Sequence, residues 1–352
     1  MLRFLRLILW PFSLVYGIII SARNFMYDRG ILKTTKFSLP VIVVGNLAVG
    51  GTGKSPMTEL LIRLLKNDFK LATLSRGYGR KSSGFLYVSP TDSVRQVGDE
   101  PLQFKNKFPE ITVAVCEDRV VGVEKLQRDH ELVLLDDAYQ HRALTPGFSI
   151  LLIEYQSLFK TKLLLPAGNF RDSYSQRKRA DMIVISKSPE QLTADKKKQA
   201  LERLDADPVQ NVFFSYLSYD HPQVVFTNKI AEIPITKSDH ILLVSGIANP
   251  ALLQKYLQGQ CASLKTLSYP DHHLFSENDL RDVIELYQQI QSDQKYIVTT
   301  EKDYQRLKDF AQMFDRLPPS AVRVLPVKTS FHDAGDEGFS SIVHQYCKGK
   351  IS

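Results

Sequence analysis

At 352 residues the chain is long enough for two domains that each bury a core, and 43% hydrophobic with 24% charged residues excludes wholesale disorder. Forty-five Lys and Arg against 38 Asp and Glu leave a formal charge of +7; this favours a nucleotide, a phosphorylated substrate or an anionic membrane, and with no nucleic-acid-binding pattern present no nucleic-acid partner is expected. Cys116, Cys261 and Cys347 are scattered without a CxxC pair or metal-ligand spacing, which argues against a zinc site or disulfide framework and for a reducing compartment.

Residues 1–30 are basic and then apolar: no charge falls between Leu7 and Ala22, and Arg3, Arg6, Arg23 and Arg29 flank that run. It is shorter than the roughly 20 residues a spanning helix needs, and Pro11 should disturb its first turns. A signal peptide has a similar form, but cleavage would export the ATP-type phosphate loop that follows. The preferred reading is a membrane-associated interfacial helix, with Trp10, Phe12 and Tyr16 at headgroup depth and arginines on anionic lipid. The competing reading packs this helix on the protein's own core.

Val41 to Leu65 reads as a buried strand (Val41, Ile42, Val43, Val44), a turn with Gly50, Gly51 and Gly53, and an amphipathic helix carrying Met57, Leu60, Leu61, Leu64 and Leu65. Such a turn aims backbone N–H groups at one point, and the helix N-terminus adds partial positive charge, so phosphate is the natural occupant. Lys54 would reach the β- and γ-phosphates, and the Ser55 hydroxyl would take a Mg²⁺ position. Ala48 stands where the P-loop template has glycine. The bland alternative is a glycine-rich turn that only packs a helix on a sheet.

A second strand, Lys70 to Ser75, ends in Arg76-Gly77-Tyr78-Gly79-Arg80-Lys81, a basic loop suited to phosphate or simply to solvent. Gly98-Asp99-Glu100-Pro101 opens a helix, where acidic residues commonly serve the dipole. Ile111 to Val115 is a third strand, and Glu131 to Leu135 a fourth that ends in Asp136-Asp137. Beside a phosphate loop this is a Walker B arrangement, whose aspartate holds Mg²⁺. Phe148 to Ile153 and Asp181 to Ile185 are further strands, with the loop Leu163 to Asp172 between them. Ser186-Lys187-Ser188 lacks the aspartate by which GTP-binding proteins read guanine, which favours ATP.

Residues 211–228 read as an aromatic β-hairpin linker between a core domain over 31–210 and a C-terminal α/β domain over 229–352. In the latter, Ser276 and Asp279 make a capping box, and Phe275 with Leu280 a hydrophobic staple. They brace the loop Asp271-His272-His273, an active-site candidate or a structural histidine pair.

Taken together, VGNLAVGGTGKSP, SRGYGR, GDEP, LLDDAYQHR, LLPAGNFRD, SGIANP, YPDHH and TTEKDYQRL resemble, in order and over nearly the whole chain, the tetraacyldisaccharide 4'-kinase (lipid A 4'-kinase) family. The resemblance implies an α/β fold with a P-loop NTPase-like, mostly parallel sheet covered by helices on both faces, a second smaller α/β domain, and the N-terminal membrane-associated helix. It implies transfer of the γ-phosphate of ATP, with Mg²⁺, to the 4'-hydroxyl of a tetraacyldisaccharide 1-phosphate, giving lipid IVA at the cytoplasmic face of the inner membrane. A monomer is expected.

Carried onto this chain, the backbone of Ala48, Val49, Gly50, Gly51, Thr52, Gly53, Lys54 and Ser55 cradles phosphates. Ser55 with Asp136 or Asp137 holds Mg²⁺, and Asp99 and His272 with Lys54 are catalytic. Arg76, Arg119 and Arg171 clamp anionic groups of the substrates, and Asp172 stands where relatives commonly have glutamate. The alternative is a membrane-associated P-loop ATPase or GTPase acting as a regulatory switch, which leaves Asp271-His272-His273 without a task.

Overall fold

A computed structural model describes residues 8–226 and 231–351; Arg3, Arg6 and Leu7 of the N-terminal reading lie outside them. The strands in chain order are β1 (Val41–Asn46), β2 (Leu71–Ser75), β3 (Leu86–Tyr87), β4 (Thr112–Val115), β5 (Leu132–Asp136), β6 (Phe148–Glu154), β7 (Met182–Ser186), β8 (Asn211–Tyr219), β9 (Gln223–Val224), β10 (His240–Ser245), β11 (Ser263–Ser268), β12 (Lys295–Thr300), β13 (Val322–Leu325) and β14 (Val327–Phe331). Among the described residues they form a nine-stranded sheet, ordered β14-β8-β7-β6-β1-β5-β2-β4-β3, and a five-stranded sheet, ordered β11-β10-β12-β13-β9.

β1 is central, parallel to β5 on one side and β6 on the other. Its unbroken apolar run reflects burial on both faces. Ile42 and Val44 join the core formed by the helices Lys54–Leu65, Asp99–Lys107 and Gly335–Ile351, whereas Val41 and Val43 join that of Arg119–Leu126 and Ala194–Leu204. The sheet is therefore mostly parallel with helices on both faces, as expected. Its strand C-termini carry the phosphate loop, the Asp136-Asp137 pair and the loop after β2.

The expected hairpin over 211–228 does not form. β8 instead runs parallel to β7, with Ile183 opposite Val212, and antiparallel to β14, while β9 pairs with β13 in the second sheet. The aromatic run finds distant partners on both edges, so the turn at Asp220-His221-Pro222 joins two sheets. The C-terminal end differs from expectation in the same way. β14 and the helix Gly335–Ile351 return to the first sheet, where Phe339, Val343 and Cys347 are buried against Ile42 and Phe148.

The N-terminal helix spans Trp10–Asp28, with Pro11 in its first turn, where the missing N–H is tolerated and the helix is not disturbed. Its inward residues are Ser13, Tyr16, Ile20 and Asn24, on one 3.6-period face. Ser13 Oγ donates to Leu164 O at 3.1 Å and accepts from Ala167 N at 2.9 Å. Tyr16, expected at headgroup depth, donates its hydroxyl to Arg171 O at 2.8 Å. The outward face carries Ile8, Trp10, Phe12, Val15, Ile18 and Ile19, all at least half exposed. No helix among the described residues is long and apolar enough to cross a membrane.

Candidate active site

The phosphate loop leaves β1 at Asn46 and enters its helix through Gly53, whose φ of +88° lies in the left-handed region that favours glycine. Ala48 has no positive φ, so its methyl fits where the template has glycine. The loop is braced on three sides. Val49 N donates to Asn169 O at 2.8 Å, Asn46 Nδ2 to Thr52 Oγ1 at 2.9 Å, and Ser186 Oγ to Thr52 O at 2.8 Å. Backbone geometry at the loop is thus fixed by the fold rather than left to a bound phosphate.

Lys54 Nζ lies 3.8 Å from Asp137 Oδ1, and Arg171 forks onto the same carboxylate at 2.9 and 3.3 Å. Burial would raise the Asp137 carboxyl, but Lys54 and Arg171 hold it below its ordinary value. Burial pushes Asp136 the other way, to about 7, with Glu100 and Asp137 adding to the rise, while Lys54 and the hydrogen bond from Thr58 oppose it. Asp136, Asp137 and Glu100 thus bring three carboxylates close enough to raise one another's charge cost. Among the described residues no group of three or more His, Cys, Asp or Glu is placed to hold a metal ion. Ser55 itself donates to Glu100 Oε1 at 2.7 Å.

From the second sheet, the loop after β11 brings His272 over the first. Its Nδ1 lies 3.0 Å from Asp99 Oδ2, and the Tyr78 ring packs against the imidazole at a tilt of 48° with centroids 4.8 Å apart. Gly98 (φ +92°) packs closely on the basic loop: a Cβ there would stand 3.1 Å from Gly77 Cα, and one on Gly77 would stand 2.6 Å from Val97 O. His272 sits at φ +58°, a strained position of the kind that persists where surrounding structure over-determines it. Behind the pair, Arg306 approaches Asp99 at 3.8 Å and donates to Gly246 O and His273 O. His273, in contrast, is bound to Asp279 at 3.0 Å inside the capping box and is structural.

Asp99 is almost fully buried, which alone would raise its carboxyl, yet the His272 hydrogen bond and the Lys302 and Arg306 charges outweigh burial and hold it below its ordinary value. A folded value below the unfolded one contributes stability that is present above the unfolded pKa and lost as pH falls through the folded one. Melting temperature measured against pH should therefore drop more steeply below about pH 4 in wild type than in Asp99→Asn. Parallel acid limbs would contradict the pairing.

Arg119 is buried and donates to Glu117 O at 2.9 Å and Asp137 O at 3.3 Å, while its Nε has no partner among the described residues. Arg76 is exposed and close enough to lower the Arg119 and His141 pKa values. Arg119 and Arg171 therefore both engage Asp137, the first at its backbone oxygen and the second at its carboxylate, and Arg76 lies near Arg119. Asp172 is fully buried and accepts from Asn24 Nδ2 at 2.8 Å. It ties the N-terminal helix to the Arg171 loop and does not face the cleft.

Between the two sheets lies a cleft of about 180 Å³ lined by Gly51 to Pro56, Glu100, Asn249, Asp271 and Lys302, and a wider one of about 550 Å³ runs along Leu47 to Thr52, Glu154 and Lys187. Glu100, Tyr78 and Lys302 escaped the sequence reading. The only available signal was that each follows a strand or opens a helix at the sheet's C-terminal edge.

A braced phosphate loop, a Walker B carboxylate pair and a carboxylate–imidazole pair delivered by a facing unit define a phosphotransferase of the P-loop kinase class. Residues 5–348 match the family described as LpxK, Tetraacyldisaccharide-1-P 4'-kinase. The chain is 43% identical to the tetraacyldisaccharide 4'-kinase of Flavobacterium johnsoniae, covering 99% of this chain and 98% of that one. It is 40% identical to that of Phocaeicola vulgatus, over 97% and 94%. The crystal structure of LpxK from Aquifex aeolicus in complex with ATP superposes with a TM-score of 0.73 at 30% identity, covering 97% and 99%. The chain belongs to the tetraacyldisaccharide 4'-kinase family, ATP-dependent kinases of lipid A biosynthesis.

Proposed function

We propose that the protein transfers the γ-phosphate of ATP to the 4'-hydroxyl of a tetraacyldisaccharide 1-phosphate, giving lipid IVA at the cytoplasmic face of the inner membrane. The supporting observation is the Asp99–His272 pair held next to the phosphate loop, Glu100 bridging to Ser55 at 2.7 Å. Asp99 orients the ring through Nδ1, so Nε2 takes the proton of the attacking hydroxyl. That oxygen bonds to the γ-phosphorus, the bond from the γ-phosphorus to the bridging oxygen breaks, and ADP leaves. Positioning and charge neutralisation carry most of the acceleration. Ser55, Asp136 and Asp137 would hold Mg²⁺, which supplies charge neutralisation on the phosphates. Lys54 and the loop backbone cradle the phosphates, and Arg76 and Arg119 clamp the acceptor's phosphate with guanidinium groups that keep free donors. Arg171 orients Asp137.

The apolar outward face of the N-terminal helix supports interfacial binding, because its inward face is the more polar one. The chain's single tryptophan, Trp10, lies on that helix at 50% exposure. Its fluorescence should shift to the blue on adding anionic phospholipid vesicles, less so with neutral vesicles or at high salt. No shift with either vesicle would remove the membrane from this account.

Label transfer from radiolabelled ATP to the glycolipid in detergent tests the activity. Labelled lipid sustains the proposal. ATP hydrolysed equally with and without glycolipid, and no labelled lipid, would restore the regulatory switch.

A further inference from the structure

Lys302 opens the helix Glu301–Leu307 directly after β12, in the second sheet, and lines the cleft opposite Lys54 and Ser55. Its Nζ lies 3.2 Å from His272 Nε2, 3.5 Å from Glu100 Oε1 and 3.9 Å from Asp271 Oδ1. An ammonium has three donors and no acceptor, so Nε2 must accept. The ring proton is then on Nδ1, facing Asp99. The atom assigned to receive the acceptor's proton is thus covered by a neighbouring cation, and that cation lines the cleft beside the phosphate loop. Glu100 connects the two ends, accepting from Ser55 Oγ at 2.7 Å while it pairs with Lys302.

We propose that Lys302 is a catalytic residue of this kinase: it moves from His272 Nε2 to the γ-phosphate oxygens of bound ATP, neutralising their charge while freeing Nε2 for the acceptor proton. The inference rests on the kinase reading above. Its physical basis is that the arriving triphosphate offers Lys302 several charged oxygens at the mouth of a cleft the lysine already lines, whereas its carboxylate contacts are no closer than 3.5 Å. Burial would lower the ammonium's pKa, but Glu100, Asp99 and Asp271 raise it above its ordinary value, so the cation is kept charged until it moves. A cation supplied from the opposite unit also makes transfer depend on the two sheets being together, which disfavours hydrolysis in an open cleft.

The test compares wild type with Lys302→Ala, Lys302→Gln and Lys302→Arg in the full chain. Equilibrium binding of ADP and of a non-hydrolysable ATP analogue is measured alongside phosphate transfer to the glycolipid. A contact with the γ-phosphate predicts that Ala and Gln weaken the analogue by about tenfold or more, the scale of one charge-assisted hydrogen bond, with ADP held within about twofold. Transfer falls by about 10²-fold or more, and Arg restores part of both. Equal weakening of ADP and the analogue would assign Lys302 a structural role, and transfer within about twofold of wild type would overturn the proposal. Should Ala fail to fold, the nearly isosteric Gln variant decides. Failure of wild type itself to label the lipid overturns the kinase reading instead, and the ADP-against-analogue difference still reports on Lys302.

Discussion

Replacing Asp99 by asparagine lowers kcat for phosphate transfer by about 10²–10⁴-fold, the range for losing a positioned acid–base group, while nucleotide binding stays within about threefold. The amide is nearly isosteric, so the buried site keeps its shape. What disappears is the negative charge that accepts from His272 Nδ1 at 3.0 Å and balances Arg306 at 3.8 Å. Without it the ring loses the anchor that directs Nε2 outward, and any imidazolium formed during transfer lacks its counter-charge. Separate measurement of kcat and of ATP affinity settles the matter. A variant within about threefold of wild-type kcat would leave the pair without a catalytic part.

Lys54→Met should cost about 10²–10³-fold in kcat, corresponding to about 2.7–4 kcal/mol for one preorganised donor at the developing charge, and weaken ATP as well. Methionine keeps most of the stem that fills the loop but removes the ammonium. Structural damage should be small because Arg171 still forks onto Asp137 when Lys54 is gone. Melting temperature then moves by no more than roughly 1–2 °C, about 1 kcal/mol spread over a chain of this length. A large fall in melting temperature with unchanged kcat at saturating ATP would mean that Lys54 serves the fold rather than the phosphates.

The parts legible in the sequence are those whose chemistry is local. Gly50, Gly53 and Lys54 announce a phosphate loop because turn geometry and anion binding are set within a few residues, and Asp136-Asp137 follows at the end of its own strand. Asp99 and His272 lie 173 positions apart, and nothing in either neighbourhood says that they meet; family resemblance alone supplied the pair. Glu100 and Lys302 were overlooked for the same reason, since their roles exist only where two sheets face each other. Residues 211–228 misled because alternating aromatics specify a strand but not its partner, and here the partners come from β7, β14 and β13. Tyr16 misled because an aromatic beside arginines looks interfacial until its hydroxyl finds Arg171 O.

The return of β14 and the helix Gly335–Ile351 to the first sheet bears on how the chain is made. A ribosome delivers Lys54 early, yet the edge of its sheet and part of its core wait for residues 327–351, after the second unit has emerged. The nascent protein therefore holds an unfinished sheet with β8 lacking one neighbour, a surface open to wrong pairing until β14 has emerged. Premature stops that remove only Val327 onward, far from the phosphate loop in sequence, would spare every residue of that loop and still leave the unit carrying it incomplete.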